Sequence, residues 1–575
     1  MSDLPISIAQ HYHSRTKYDP EGLRNNNHRL NWGEQPSTYK EYKLGHVYDL
    51  KPHLVPDQKA EGQSLLAQRW HRLSKLLFCS YGLTAKFLTM NGDPVYLRAA
   101  PSAGALYPAE VYLISGGTAL LPAGLYNYQP KNHTLVHFWA DTEVWQKLEA
   151  ACFQHPTLAQ TKIAIATTAV FFRSAWRYQA RAYRRIYLDT GHLLGNIELA
   201  AAIFGYRPYL VGGFNDDVVN ELLYLDGAEE GATAIIPLLD LQENEFICRG
   251  IEARGRNLDP NSQGYAAIAT SPTTAIASAT HTNFPDLSES ELLSYFHQAT
   301  KLDAPAIGSK ATEIEPAPES TSGNPEPNLS DRSKQVLSNE SEPEAQSKAG
   351  QSTANSYPLD DRYNFPFCTK IAIATDQRVD WVDEVGDLTS LEDCIISRRS
   401  TRAFRGEAIE LAQLKLLLDF TYQSQNYVEQ GLDGEPDYFD LSLIQTFVAA
   451  SAVNGLEDGC YYYATGSQEL RQIRFKNFRQ ELHFLCLGQD LGRDAAVVMF
   501  HAADLGQAIA KYGDRAYRYL HLDAGHLGQK LNLAALKLGL GVSGIGGFFD
   551  DHVNEVLGIS AEAAVLYVTT IGIPR

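Results

Sequence analysis

The chain has 575 residues, enough for more than two average domains or for two domains with connectors, and 44 % of them are hydrophobic, enough for a sizeable core. A net charge of −19 excludes a general nucleic-acid or phospholipid surface, so any anion site has to be a local basic cluster. No apolar run reaches the roughly 18 residues of a membrane span and no signal-peptide pattern opens the chain. The seven scattered cysteines form no CxxC, and no metal-ligand spacing is found; both fit reduced thiols in a cytoplasmic protein without a metal.

In chain order, a weakly basic stretch, His13-Ser14-Arg15-Thr16-Lys17, comes first. Pro101-Ser102-Ala103-Gly104-Ala105-Leu106-Tyr107-Pro108 follows Arg98. Small residues between two prolines make a stiff loop that a planar group can approach closely, although the same string also suits a plain loop entering a strand. AEVYLIS, KIAIATTAVFF, AAVVMFHAA and AVLYVTTIG are short apolar runs typical of buried strands. Phe284–Leu302 reads as one helix with Ser288 as N-cap. From about Ala304 to Tyr357 the chain is rich in Pro, Ser, Glu, Gly, Asn and Gln, a composition that predicts a disordered tether.

After the tether, Arg398, Arg399, Ser400 and Arg402 fall within the run SRRSTR behind the amphipathic segment LTSLEDCIIS. Guanidinium forks and hydroxyls so concentrated in an acidic chain suit a phosphate; they equally suit a solvated helix end. Lys511-Tyr512 is a proton-shuttling pair if burial lowers the lysine, or a surface pair ahead of a helix. Leu520, Ala524, Leu527, Leu531, Ala534, Ala535 and Leu538 recur at helical spacing and predict a long core helix, in which His526, like His192 in its counterpart, is expected to be a packed structural histidine. Gly539, Gly541 and Gly544 formally spell GxGxxG. They follow a helix instead of opening one, so a helix cap and turn is expected, with backbone N–H groups free to reach a ligand ring.

Arg177–Leu223 aligns without a gap on Lys511–Leu557, with close to half the positions identical. This is a domain duplication: copy one spans about 1–255, a connector 256–369, and copy two 370–575. Interleaved strands and long helices make each copy α+β or α/β, three-layered.

RRSTRAF, RAAPSAGALYPAEVYL, LPAGLYNY, KYGDRAYRYLHLDAGH, GIGGFFDDHVNEVLG and the terminal IGIPR together resemble the nitroreductase superfamily, and within it the SagB/ThcOx-type dehydrogenases of thiazole- and oxazole-forming peptide pathways. The resemblance implies an α+β fold in which the two copies form an intramolecular pseudo-dimer around FMN. It implies that Arg398, Arg399, Ser400 and Arg402 hold the phosphate and ribityl chain and that Arg575 adds a charge. The N–H of Gly546 or Gly547, beside Ile545, would face the flavin. Pro101, Ser102, Ala103 and Gly104 would cover its ring from the opposite copy, and Lys511 and Tyr512 would supply the base. Copy one has lost two clamp arginines at His13–Lys17, and copy two has lost the small-residue loop at Asp437–Ser442, so only one interface keeps every part. One FMN per chain follows. The implied activity is dehydrogenation of azoline rings in a peptide, with biosynthetic partner proteins. The sequence ahead of the first motif is too short for a separate leader-binding domain. Two other readings stand: an NAD(P)H-dependent nitro or quinone reductase, and a flavin-free scaffold or peptide-binding subunit.

Overall fold

A computed structural model describes residues 5–25, 29–55, 64–89, 92–242, 274–303, 362–381 and 390–575. The expected tether lies outside these residues. Each copy builds one seven-stranded antiparallel sheet. Copy one contributes β1 (His46–Asp49), β4 (Ala109–Ser115), β5 (Gly124–Gln129), β6 (Thr134–Ala140), β7 (Ile163–Val170), β8 (Tyr206–Pro208) and β9 (Glu230–Asp240), in the order β1-β6-β5-β4-β7-β9-β8. Copy two contributes β10 (Lys370–Ala372), β12 (Gln445–Ala450), β14 (Gly459–Ala464), β15 (Glu469–Arg474), β16 (Val497–Asp504), β17 (Gly541–Ile545) and β18 (Ala563–Gly572), in the order β10-β15-β14-β12-β16-β18-β17. The two orders are the same order twice. Between them lie two small additions: the hairpin of β2 (Leu83–Leu88) and β3 (Pro94–Arg98) in copy one, and the short pair of β11 (Ile409–Glu410) and β13 (Val453–Asn454) in copy two.

The four apolar runs form β4, β7, β16 and β18, buried along nearly their whole length because helices cover both faces of each sheet. The periodic segment forms the helix Ala516–Lys537, matched in copy one by Ala182–Ile203. Both are buried almost end to end because they pack on one another. Their backbones touch where Gly191 faces Gly525: a Cβ on Gly191 would lie 2.2 Å from Leu522 O, and one on Gly525 would lie 2.3 Å from Leu188 O. Only glycine permits that approach.

Reciprocal ion pairs lock the two copies. Asp216 accepts from Arg515 and Arg518, each at 2.6 Å, and its equivalent Asp550 accepts from Arg181 at 2.9 Å and Arg184 at 2.7 Å. All six side chains are buried, so each carboxylate answers two charges that have no access to water.

The expected connector helix exists as Glu289–Ala299, and Ser288 does cap it, with Glu291 closing the capping box. It packs into the protein core instead of standing apart: Phe296 is fully buried and stacks on Tyr12 at 4.2 Å. Ahead of it, residues 274–281 run as a strap against copy two, with Ser278 N donating to Tyr512 O and Asp514 N to Ala279 O. The six described cysteines are all free and buried, and no described helix is long and apolar enough to cross a membrane.

Candidate functional site

The helix Leu391–Ser397, capped by Ser390, ends at Arg398 and delivers the basic run to the seam between the copies. Arg398 is buried, and its Nε donates to Ala99 O of copy one at 2.9 Å. Its Nη1 is buried without a partner, and burial lowers the guanidinium pKa to about 10. Arg399 donates to Ile396 O, Arg398 O and, across the seam, Thr84 O at 2.7 Å. Thr401 N donates to Val542 O at 2.8 Å, which fixes the run beside β17. The glycine-rich segment is therefore an edge strand after its helix cap, where a turn was expected: it pairs along β18, and Gly544 is required because a Cβ there would lie 1.8 Å from Tyr567 Oη.

From copy one comes the small-residue loop. Ser102 Oγ donates to Asp189 Oδ2 at 2.6 Å, Ala103 N donates to the same carboxylate, and Gly104 takes a left-handed φ of +66°. Asp189 belongs to the long helix. Burial pushes its carboxyl up to about 7, although the Ser102 and Ala103 hydrogen bonds pull the other way.

These parts enclose a cavity of about 770 Å3, inside the roughly 300–1,000 Å3 range of cofactor and drug-sized sites. Arg398, Arg399, Ser400, Arg402, Gly544 and Gly546 line it from copy two, and Pro101, Ser102, Ala103 and Gly104 from copy one. Phe87, Leu88 and Val95 of the hairpin give it an apolar rim. His192 lines it too, and its ring nitrogens are held by Gln529 Oε1 at 2.9 Å and Tyr567 Oη at 2.8 Å, so it is a packed, hydrogen-bonded histidine as expected. His526 likewise bonds Glu198 at 3.1 Å.

The pseudo-symmetric counterpart of this cavity is closed. Asp523, the equivalent of Asp189, accepts from the backbone of Phe439 and Asp440 at 3.0 and 2.8 Å, so the copy-two loop runs in the equivalent place. It carries large rings there. Phe439 stacks on Tyr519 at 4.6 Å and lies where a Cβ on Gly212, the equivalent of Gly546, would stand 2.2 Å away. Tyr438 stacks on His526 at 4.3 Å, and Ile276 of the strap covers Gly213. A space of about 20 Å3 remains beside Glu198, Tyr209, Leu210 and Asp437.

Several expected residues are not brought to the cavity. Lys511 and Tyr512 sit at the closed counterpart, where both donate to Asp440 at 2.5 and 3.0 Å. That bond raises the lysine pKa, the reverse of what a neutral base needs. The physical reason is the pseudo-dyad: the loop and the basic–tyrosine pair of one copy come together, so Gly104 of the cavity's loop is approached by Arg177 and Tyr178. Ile545, the last residue of β17, is buried in the core of copy two, and Gly547 faces Leu487. Arg575 is exposed: its backbone pairs with Ala403, and its charge lowers the pKa of Asp494. The stretch His13–Lys17 does not occupy a clamp position. His13 is buried against Tyr517, and Lys17 pairs with Asp551 at 2.5 Å. Asp189, Arg185, Asn532, Tyr567 and the hairpin are cavity residues that sequence reasoning did not single out. Arg185 was visible in the aligned copies as the one cavity cation set against a tyrosine, Tyr519.

The nitroreductase family model matches the chain twice, over residues 73–238 and 395–573. A Methanocaldococcus jannaschii protein described as a nitroreductase, MJ1384, is 31 % identical over 169 residues, which cover 29 % of this chain and 84 % of that protein. The trifolitoxin-processing protein TfxB of Rhizobium leguminosarum bv. trifolii is 32 % identical over 139 residues, covering 24 % of this chain but only 37 % of that protein. A crystal structure described as a nitroreductase from Anabaena variabilis superposes with a TM-score of 0.81 at 54 % identity, covering 99 % of this chain and all of the other.

Proposed function

Starting from the fact that the chain belongs to the nitroreductase family, which its two matched copies establish, we propose a single-site FMN-dependent oxidoreductase. The observation that carries this reading is the open cavity shared by the copy-two arginines and the copy-one loop, opposite a counterpart filled by Tyr438 and Phe439. The residues fit the cofactor. Arg398 lines the cavity, and its buried guanidinium, whose Nη1 has no partner, suits a phosphate oxygen. Ser400 and the exposed Arg402 add a hydroxyl and a second fork. The small residues of the stiff Pro101–Gly104 loop leave room for a flat ring, while the bare backbone of Gly546 admits the Arg185 guanidinium. When bound, FMN supplies two-electron redox chemistry at that ring. The protein positions it, keeps water from one side with the hairpin rim, and offers Asp189, whose carboxyl burial pushes up, as a proton acceptor at the cavity.

Two substrate chemistries follow from two different observations. Similarity to the trifolitoxin-processing protein supports oxidation of an azoline ring within a peptide, in the company of other biosynthetic proteins; Asp189 then takes the proton-accepting role that Lys511 cannot reach. Arg177 in place of a lysine beside the loop of the open cavity supports NAD(P)H-dependent reduction of an electrophile, because a guanidinium stays protonated and suits developing negative charge. Anaerobic mixing of the FMN-loaded protein separates them. Bleaching of the flavin by an azoline-containing peptide supports dehydrogenation, bleaching by NADPH supports reduction, and a protein that stays colourless in excess FMN overturns the proposal.

A further inference from the structure

Arg185 sits in the open cavity at 7 % exposure, yet no acceptor among the described residues takes a hydrogen bond from it. Its Nε is buried and unpartnered. Its guanidinium carbon lies over the ring of Tyr178, 3.8 Å from the centroid, and a Cβ on Gly546 would come within 2.3 Å of Nη1. Asp189, one turn further along the same helix, is engaged by Ser102 and Ala103. The copy-two counterpart of Arg185 is satisfied: Tyr519 Oη accepts from Arg515 Nε at 3.0 Å and donates to Ile276 O at 3.0 Å. A buried guanidinium left without acceptors is costly unless a ligand provides them. Arg177 adds a second, exposed guanidinium on the same tyrosine, 5.7 Å from its centroid, and its Cδ approaches Gly104. A guanidinium fork matches a carboxylate bidentately, and the anionic end of the flavin is already assigned to Arg398 and Arg402.

We infer that Arg185 and Arg177, both against the ring of Tyr178, form a recognition subsite for a carboxylate carried by the substrate. The inference deepens the proposed function by adding a substrate feature that either of its chemistries accommodates, and it borrows the flavin only as a reporter. Benzoate and its neutral analogue benzamide are titrated into the FMN-loaded protein, followed by the visible flavin spectrum and, in parallel, by calorimetry. Benzoate is expected to bind at least about tenfold more tightly than benzamide. Arg185→Tyr, which installs the copy-two residue, is expected to weaken benzoate by about 10- to 100-fold at unchanged flavin content. Arg185→Lys is expected to recover part of the affinity. Arg177→Gln, at an exposed position that leaves folding intact, is expected to weaken benzoate by about threefold to tenfold. Equal affinities for the two ligands, or benzoate binding indifferent to both arginines, overturn the inference. So does loss of flavin in Arg185→Tyr with benzoate affinity intact, because the missing acceptor is then the cofactor. Calorimetry reads the subsite without colour, so a colourless protein that still prefers benzoate counts against the flavin proposal alone.

Discussion

Equivalent walls meet at both cross-copy sites, but one pair stands apart around about 770 Å3 and the other closes to leave about 20 Å3. Both sites have the same helix aspartate holding the same loop, through Asp189 and Asp523. They differ in what the loop carries: Ser102 and Ala103 on one side, Tyr438 and Phe439 on the other. The strap reinforces the difference, since Ile276 covers the glycine pair of the closed site only. The scaffold is thus symmetric where it bears load and asymmetric where it bears chemistry. The paired Asp–Arg locks are repeated, whereas the basic run that lines the cavity occurs at one site alone.

The largest expected effect tests the symmetric half of that comparison. Asp216→Ala and Asp550→Ala each strand two buried guanidiniums, and each should cost about 3–5 kcal/mol in urea unfolding. A marked inequality between the two would break the symmetry. The pH dependence has a definite sign. Burial alone would raise the Asp216 carboxyl, but Arg515 and Arg518 outweigh it and hold the pKa at about 2. The folded value lies below the ordinary value near 4, so this contribution is complete above pH ~4 and is lost as the pH falls towards 2. In Asp216→Ala the unfolding free energy should lose that part of its acid dependence.

Phe439→Ala removes the plug of the closed site and should lower stability by about 3 kcal/mol, read from the melting temperature. Flavin content should stay at one per chain, because opening that space brings no phosphate clamp with it. A second flavin there would show that the ring alone closes the site. Arg402→Ala should weaken FMN by about 10- to 100-fold in a fluorescence titration, whereas Lys17→Ala should leave the affinity unchanged. The smallest effect is expected for Lys511→Met. Its half-exposed ion pair with Asp440 is worth at most about 1 kcal/mol, and flavin affinity and turnover should both persist. Loss of turnover in that variant would move the chemistry to the closed site.

The strands, the long helices and the duplication were legible because burial on both faces leaves continuous apolar runs and because the two copies can be aligned residue by residue. The two walls of the cavity were legible as local anomalies, three arginines in an acidic chain and six small or apolar residues between prolines. What lay out of reach was pairing across the seam. A sequence does not say whether Lys511 or Arg177 faces the loop of Ser102, since that depends on the pseudo-dyad. Gly541–Ile545 read as a turn because glycine usually marks one, yet β18 offers it a full ladder, and Thr401 and Tyr567 leave no room for side chains at Gly541 and Gly544. His13–Lys17 shared the composition of the clamp without its register, and only packing reveals that these residues serve Tyr517 and Asp551. The connector helix and its Ser288 cap were legible, but not the surface it covers, because one apolar stripe does not name its partner.

The central claim is that one flavin occupies the seam between the copy-two arginines and the copy-one loop. Absorbance and phosphorus quantitation on protein saturated with FMN and freed of excess test it directly. The account predicts one FMN per chain, falling towards zero in Arg398→Ala/Arg402→Ala. Two per chain, or one that survives that double substitution, would contradict it.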